Sequence, residues 1–197
     1  MADANASSAG GGLRLVLLGP PGSGKGTQAA ILAENLGVPA ISTGKMLRRA
    51  VDSGTELGER VESIMSRGAL VDDATMAEVV RERLARDDAR GGYLLDGYPR
   101  TLAQAGTLGR ILEESGQVLD AVVLIDVPED VLVERALARQ RADDTEEVVR
   151  RRLEIYREKT EPLIEYYKGL GLLRRVDGDR SIADVSAGIR EALEARA

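Results

Sequence analysis

Past a short polar opening, the chain alternates between brief apolar runs and stretches with helical spacing. Residues 13–18 (LRLVLL) form an apolar run, and a glycine-rich turn over 19–24 follows it. Apolar positions over 25–36 recur at helical spacing and stop at Gly37, a residue suited to a helix C-terminus. The same reading predicts strands over 39–41, 93–95, 121–127 (AVVLIDV) and 171–176. It predicts helices over 44–53, 56–67, 72–86, 101–115, 129–139, 145–168 and 181–195. Five short apolar strands separated by helices predict an α/β fold, a five-stranded parallel sheet with helices on both faces. The interval 43–90 is helix-rich and carries no strand pattern, so it predicts a small helical insertion beside the sheet.

Composition narrows the chemistry. The 197 residues suit one domain with small insertions. There is no Cys and no His. That removes disulfides, thiol nucleophiles, imidazole bases and metal sites built from thiolate or imidazole. Net charge is −6, and the five aromatic residues are all Tyr, which argues against a nucleic-acid binder. Four of the 27 basic residues are Lys and the rest Arg, the cation suited to bidentate grip on phosphate or carboxylate. Residues 1–12 (MADANASSAGGG) have neither the apolar run of a signal peptide nor the Arg-rich character of a transit peptide, and they are expected to be a disordered tail ahead of a domain over 13–197. No apolar stretch approaches the roughly 20 residues of a membrane span. A cytoplasmic protein that contacts neither membrane nor nucleic acid is expected.

The segment GPPGSGKGT (19–27) lies between a predicted strand and a predicted helix, the setting a phosphate loop requires. Gly22, Gly24 and Gly26 let the backbone curl so that N–H groups converge on phosphate, Ser23 sits within that curl, and a helix N-terminus adds its field. Lys25 would place its ammonium on the β/γ-phosphates, and Thr27 would offer its hydroxyl to Mg²⁺. The general pattern has Ser or Thr directly after the Lys; here Gly26 intervenes. In this narrower form the loop resembles that of the P-loop NTPase-type nucleoside monophosphate kinases, the adenylate kinase family above all. Other P-loop classes match less well. Asn occurs only at 5 and 35, neither followed by Lys, and no LSGGQ-like signature is present.

Two further segments, ISTGKMLR (41–48) and YLLDGYPRT (93–101), resemble those of the same family at similar distances from the loop. Asp96 ends an apolar strand, where a carboxylate can hold the water shell of Mg²⁺ near the phosphate loop; a turn-forming Asp before Gly97 is the plainer reading. The resemblance implies a monophosphate site made by Thr43, Arg48, Gly97, Tyr98, Pro99 and Arg100. It implies that Gln104 reads the adenine edge and that Met65, Ala69, Leu70 and Val71 line the base pocket within an insertion over 42–71. Taken alone, Met65 reads as core packing and Gln104 as a surface residue. Thr43 and Thr101, where pyrimidine-specific relatives tend to have Ala and Asn, favour AMP.

Seven Arg lie between 135 and 157. Glu146–Arg150 and Glu147–Arg151 are spaced as i,i+4 helix pairs and need no ligand. Arg152 has no such helical partner, and Arg135 with Arg139 is a like-charge i,i+4 pair that an anion would relieve. The resemblance assigns Arg135, Arg139 and the segment at Arg180 to ATP, and Arg141 and Arg152 to AMP and the transferring phosphoryl group. Asp143 and Asp144 match the family's acidic pair at the closing hinge, and the short connection over 139–144 resembles the short-lid type.

Taken together, the resemblance implies Mg·ATP + AMP ⇌ 2 ADP by a monomer, serving adenine nucleotide homeostasis. Lys25, Arg100, Arg139, Arg141 and Arg152 would neutralise charge. The acceptor oxygen is already ionised at pH 7, so the lack of a base is no obstacle. Two positions depart from the family pattern: Lys45 stands where Asp or Glu is usual, and Gln140 where Gly is usual. The competing expectations are a kinase for UMP, CMP or GMP, and a catalytically weakened module that binds ATP and AMP without transfer.

Overall fold

The computed structural model describes residues 12–138 and 145–195. Five parallel strands form one sheet: β1 (Arg14–Leu18), β2 (Ala40–Ser42), β3 (Tyr93–Asp96), β4 (Ala121–Asp126) and β5 (Leu173–Asp177), in the order β2-β3-β1-β4-β5. The central strands are buried on both faces, which explains their unbroken apolar sequences. Alternate residues feed two cores. Val16, Leu18, Leu95, Val122 and Leu124 face one side, while Leu15, Leu17, Leu94, Val123 and Ile125 face the other.

The first core is covered by α2 (Thr43–Asp52), α3 (Glu56–Ser66), α4 (Asp73–Leu84), α6 (Leu102–Glu114) and α9 (Pro162–Gly169), with the short α5 (Asp87–Arg90) beside them. The second is covered by α1 (Lys25–Leu36), α7 (Glu129–Ala138), α8 (Glu146–Ile155) and α10 (Ile182–Glu194). The helices α2 and α3 form a close hairpin, because a Cβ on Gly58 would lie 2.2 Å from the Ala50 carbonyl oxygen. Gly12 packs on the Gly91–Gly92 backbone, the chain's first described contact with the sheet region.

One expected helix is divided. The stretch expected over 72–86 is the single helix Asp73–Leu84, and a separate turn of helix follows at Asp87–Arg90, beyond the expected range. The stretch expected over 145–168 becomes α8, a π turn at Tyr156–Thr160 and α9. Buried positions show why periodicity missed the break. Val149 and Leu153 of α8 belong to one core, whereas Leu163 and Tyr167 of α9 belong to the other. One extra residue rotates a helical face by about 100°. The π turn supplies that rotation, so a single chain segment serves both faces of the sheet.

Candidate active site

The sheet's C-terminal edge opens into a cleft of about 820 Å³. One wall is the turn from β1 into α1. Gly22 has φ +90°, and a Cβ there would lie 2.4 Å from the Leu132 carbonyl oxygen, so the backbone curl needs glycine. Several other helices begin with a side-chain cap: Thr55, Asp72, Thr101, Thr145 and Ser181 each accept from a first-turn N–H. The helix α1 has no side-chain cap and no acidic residue in its first turn. Its first N–H groups and its dipole therefore face the cleft, where an anion fits. The Lys25 ammonium donates to the carbonyls of Gly19 (2.6 Å) and Pro20 (2.8 Å) and to Ser23 Oγ (3.3 Å), poised over the same turn.

Asp96 reaches this wall from the end of β3. Its carboxylate accepts from Ser42 Oγ at 3.0 Å, and a Cβ on Gly26 would approach Asp96 Oδ2 only to 4.0 Å, which leaves room in front of the loop. With the Thr27 hydroxyl, also on the cleft wall, the donors are hard oxygens, the set that suits Mg²⁺ held through water and nucleotide phosphate. Beyond them Arg135 donates to the Gly178 carbonyl (2.9 Å) and to Asp179 (3.1 Å), and Arg180 donates to Asp177 (2.8 Å). Arg135 thus has a carboxylate partner within the fold and ties α7 to the loop after β5, Asp179 being brought to it from 44 residues away; its expected pairing with Arg139 lies outside the described residues. The expected Glu147–Arg151 pair is replaced, since Arg151 reaches Glu154 at 3.3 Å.

The opposite wall starts at α2, which likewise has no side-chain cap or acidic residue in its first turn. Thr43 is buried and donates from Oγ1 to the Gly97 carbonyl at 2.9 Å. Gly97 has φ +85°, and a Cβ there would stand 3.0 Å from Thr43 Oγ1 and 3.1 Å from Arg100 Nη2. Arg100 is held on several sides. Its N–H donates to Gln104 Oε1 (2.7 Å), its Nε to the Gly97 carbonyl (2.8 Å), and its carbonyl accepts from Thr160 Oγ1 (2.8 Å). Arg48 and Arg152 share the wall. Desolvation of the Arg100 guanidinium pushes its pKa down; Asp96 opposes this, and the Arg152 and Arg48 charges add to it. Arginine stays cationic near neutrality, so three clustered cations make a strong attractor for an oxyanion.

Beside that cluster lies an apolar slot containing Met65, Val71, Leu47 and Met76, with Gly68, Ala69 and Leu70 along its edge. Gln104 closes it. The Gln104 amide is buried and oriented from two sides, since Nε2 donates to Asp73 Oδ1 at 2.8 Å while Oε1 accepts from Arg100. Pro99 reaches the cleft, but Tyr98 does not line it. Tyr98 is 1% exposed, its hydroxyl donates to the Gln104 carbonyl at 3.2 Å, and burial raises its pKa to about 12. Its place is behind the loop, as support. Leu47, Met76, Asp73 and Thr160 were not picked out as site residues, although Leu47 was legible as the position one helical turn after Thr43. Lys45 lies exposed on the cleft wall. Arg139, Gln140, Arg141, Asp143 and Asp144 lie outside the described residues.

A phosphate loop and a second uncapped helix, facing one cleft at the C-terminal edge of a parallel sheet, define a P-loop phosphotransferase of the nucleoside monophosphate kinase class. The family model for adenylate kinase matches residues 17–172. An adenylate kinase of Thermus thermophilus is 54% identical over 186 residues, covering 92% of this chain and 97% of the relative. One from Thermobifida fusca is 48% identical over 189 residues, 94% of this chain and 100% of its own. One from Prochlorococcus marinus is 48% identical over 180 residues, 91% and 96% respectively. The chain belongs to the adenylate kinase family.

Proposed function

We propose that the protein transfers the terminal phosphoryl group of ATP to AMP, giving two ADP, reversibly. The observation that carries this reading is the pair of anion-binding walls on one cleft: the α1 loop with Lys25 on one side, and Arg48, Arg100 and Arg152 beside the α2 N-terminus on the other. A donor polyphosphate fits the first wall and an acceptor monophosphate the second.

The donor is cradled by Gly22, Ser23, Gly24, Lys25, Gly26 and Thr27, with the Arg135 and Arg180 loops flanking its base. The acceptor phosphate rests on Arg48, Arg100 and Arg152, and its base enters the slot closed by Gln104. Such transfer is mainly positioning and charge neutralisation. Lys25 binds the bridging region of the donor, and Arg100 and Arg152 hold the acceptor oxygen in line with it. That oxygen is already ionised, so no side chain has to remove a proton. Thr27 and Asp96 would hold Mg²⁺, which when bound would neutralise charge on the donor phosphates. Arg139 and Arg141 lie outside the described residues; by family resemblance they would add to the charge neutralisation. We further propose that the protein works as a monomer in the cytoplasm. No helix among the described residues is long and apolar enough to cross a membrane.

The test is ADP formation from ATP with AMP, GMP, CMP or UMP, with and without Mg²⁺. AMP-dependent ADP formation that needs Mg²⁺ is expected. Thermal stabilisation by both nucleotides without ADP would show a binding module, and turnover preferring CMP or UMP would overturn the AMP assignment.

A further inference from the structure

We infer that Thr160 is a positioning residue for the acceptor phosphate, acting through Arg100. The inference rests on the reading of Arg100 as a phosphate ligand. Thr160 is 7% exposed and ends the π turn Tyr156–Thr160, where Glu161 N donates to the Tyr156 carbonyl, an i to i+5 bond. Its hydroxyl donates to the Arg100 carbonyl at 2.8 Å, across 60 residues of sequence.

The geometry around Arg100 gives that bond its meaning. The Arg100 N–H is taken by Gln104 and the Nε by Gly97, so the loop is gripped from its own side of the cleft. Thr160 grips the remaining backbone polar atom from the helix that also carries Arg152. With the carbonyl anchored, the backbone from which the guanidinium extends is fixed relative to Arg152. A cation pair that must meet one phosphate benefits from such a tie, because like charges otherwise favour separation.

The π turn is what aims the hydroxyl. In an uninterrupted α-helix Thr160 would share the face of Leu153, seven residues earlier, and so would point into the second core. The inserted residue rotates it about 100° toward the first core and the cleft. Its placement there accounts for a polar side chain buried at a point where an apolar one would serve packing alone.

The test is steady-state kinetics of Thr160→Val and Thr160→Ser, with Arg100→Ala as a reference and Tm measured for each. The Val variant keeps the shape and loses the hydroxyl. It is expected to raise the KM for AMP roughly fivefold, the worth of one neutral hydrogen bond. The KM for ATP should stay within about twofold, and Ser should restore the wild-type value. An unchanged KM for AMP in the Val variant would overturn the inference. So would equal losses for ATP and AMP accompanied by a lowered Tm, or a Ser variant as impaired as Val. If Val prevents folding, Thr160→Ala against Thr160→Ser reads the same contrast. If Arg100→Ala leaves the KM for AMP unchanged, the reading of Arg100 itself fails, whatever Thr160 does.

Discussion

Gly97→Ala isolates the geometry on which acceptor binding depends. Gly97 has φ +85°, and a methyl group there would meet Thr43 Oγ1 at 3.0 Å and Arg100 Nη2 at 3.1 Å. Two costs follow. A non-glycine residue in the left-handed region costs about 1–2 kcal/mol. For a domain of this size that lowers Tm by about 2–8 °C. The second cost falls on function. Contact atoms must yield by a few tenths of an ångström, and both belong to the monophosphate wall. Thr43 is buried, so its hydroxyl has little freedom, and most of the movement falls on the Arg100 guanidinium. A misplacement of 1 Å can cost about a hundredfold, so a fraction of that predicts roughly a tenfold loss of kcat/KM for AMP. The assay is initial-rate ADP formation with AMP varied at saturating ATP, then ATP varied at saturating AMP, beside a thermal melt. The KM for ATP should be near wild type, because Lys25 and its loop lie on the opposite wall. Wild-type kcat/KM for AMP, or equal losses for both nucleotides, would refute the reasoning.

Three further outcomes are expected. Asp73→Asn removes the carboxylate that accepts from Gln104 Nε2 and Thr101 Oγ1, and should lower the AMP-over-GMP preference about tenfold while kcat with AMP stays within twofold, read from kcat/KM for each monophosphate. Asp72 caps α4 by accepting from the Thr75 N–H (2.9 Å) and hydroxyl (2.8 Å), and these bonds hold its pKa below 3.8. The carboxylate is therefore favoured by folding above that pH: Asp72→Ala should lose about 1 kcal/mol at pH 7, with the difference in Tm closing as pH falls through the depressed value. Lys45→Asp replaces a cation in the first turn of α2, where the helix dipole disfavours it, so Tm should rise by roughly 1–3 °C. The same change removes positive charge from the cleft wall and should raise the KM for AMP several-fold. Unchanged Tm and KM together would remove Lys45 from any role.

Much of the fold was legible because its signals are local. The β4 strand lies within the expected apolar run over 121–127, since a strand buried on both faces has no polar position to break its pattern. Glycine spacing marked the phosphate loop for the same reason, as the curl lies within one short segment. The site was legible where a residue type has a narrow use. Lys25, Thr43, Arg48, Arg100, Gln104 and Arg152 all reach the cleft. Tyr98 was misplaced, because its neighbours in DGYPR face the cleft while its ring turns inward beneath Gln104. The reading of Arg135 missed its partner, because Asp179 lies on a different element.

From the sequence alone came the parallel sheet, the strand–loop–helix that holds phosphate, and the restriction to chemistry without thiol or imidazole. Each depends on residues within a few positions of one another, where periodicity and turn geometry operate. Only the tertiary structure decided how the second wall is held. Thr43 meets Gly97 across 54 residues, Gln104 meets Asp73 across 31, and Thr160 meets Arg100 across 60. It also decided the π turn, since a helix that looks uniformly periodic must rotate when its two halves pack on opposite faces of a sheet. Local preference cannot encode that rotation, because it is imposed by where the two cores lie.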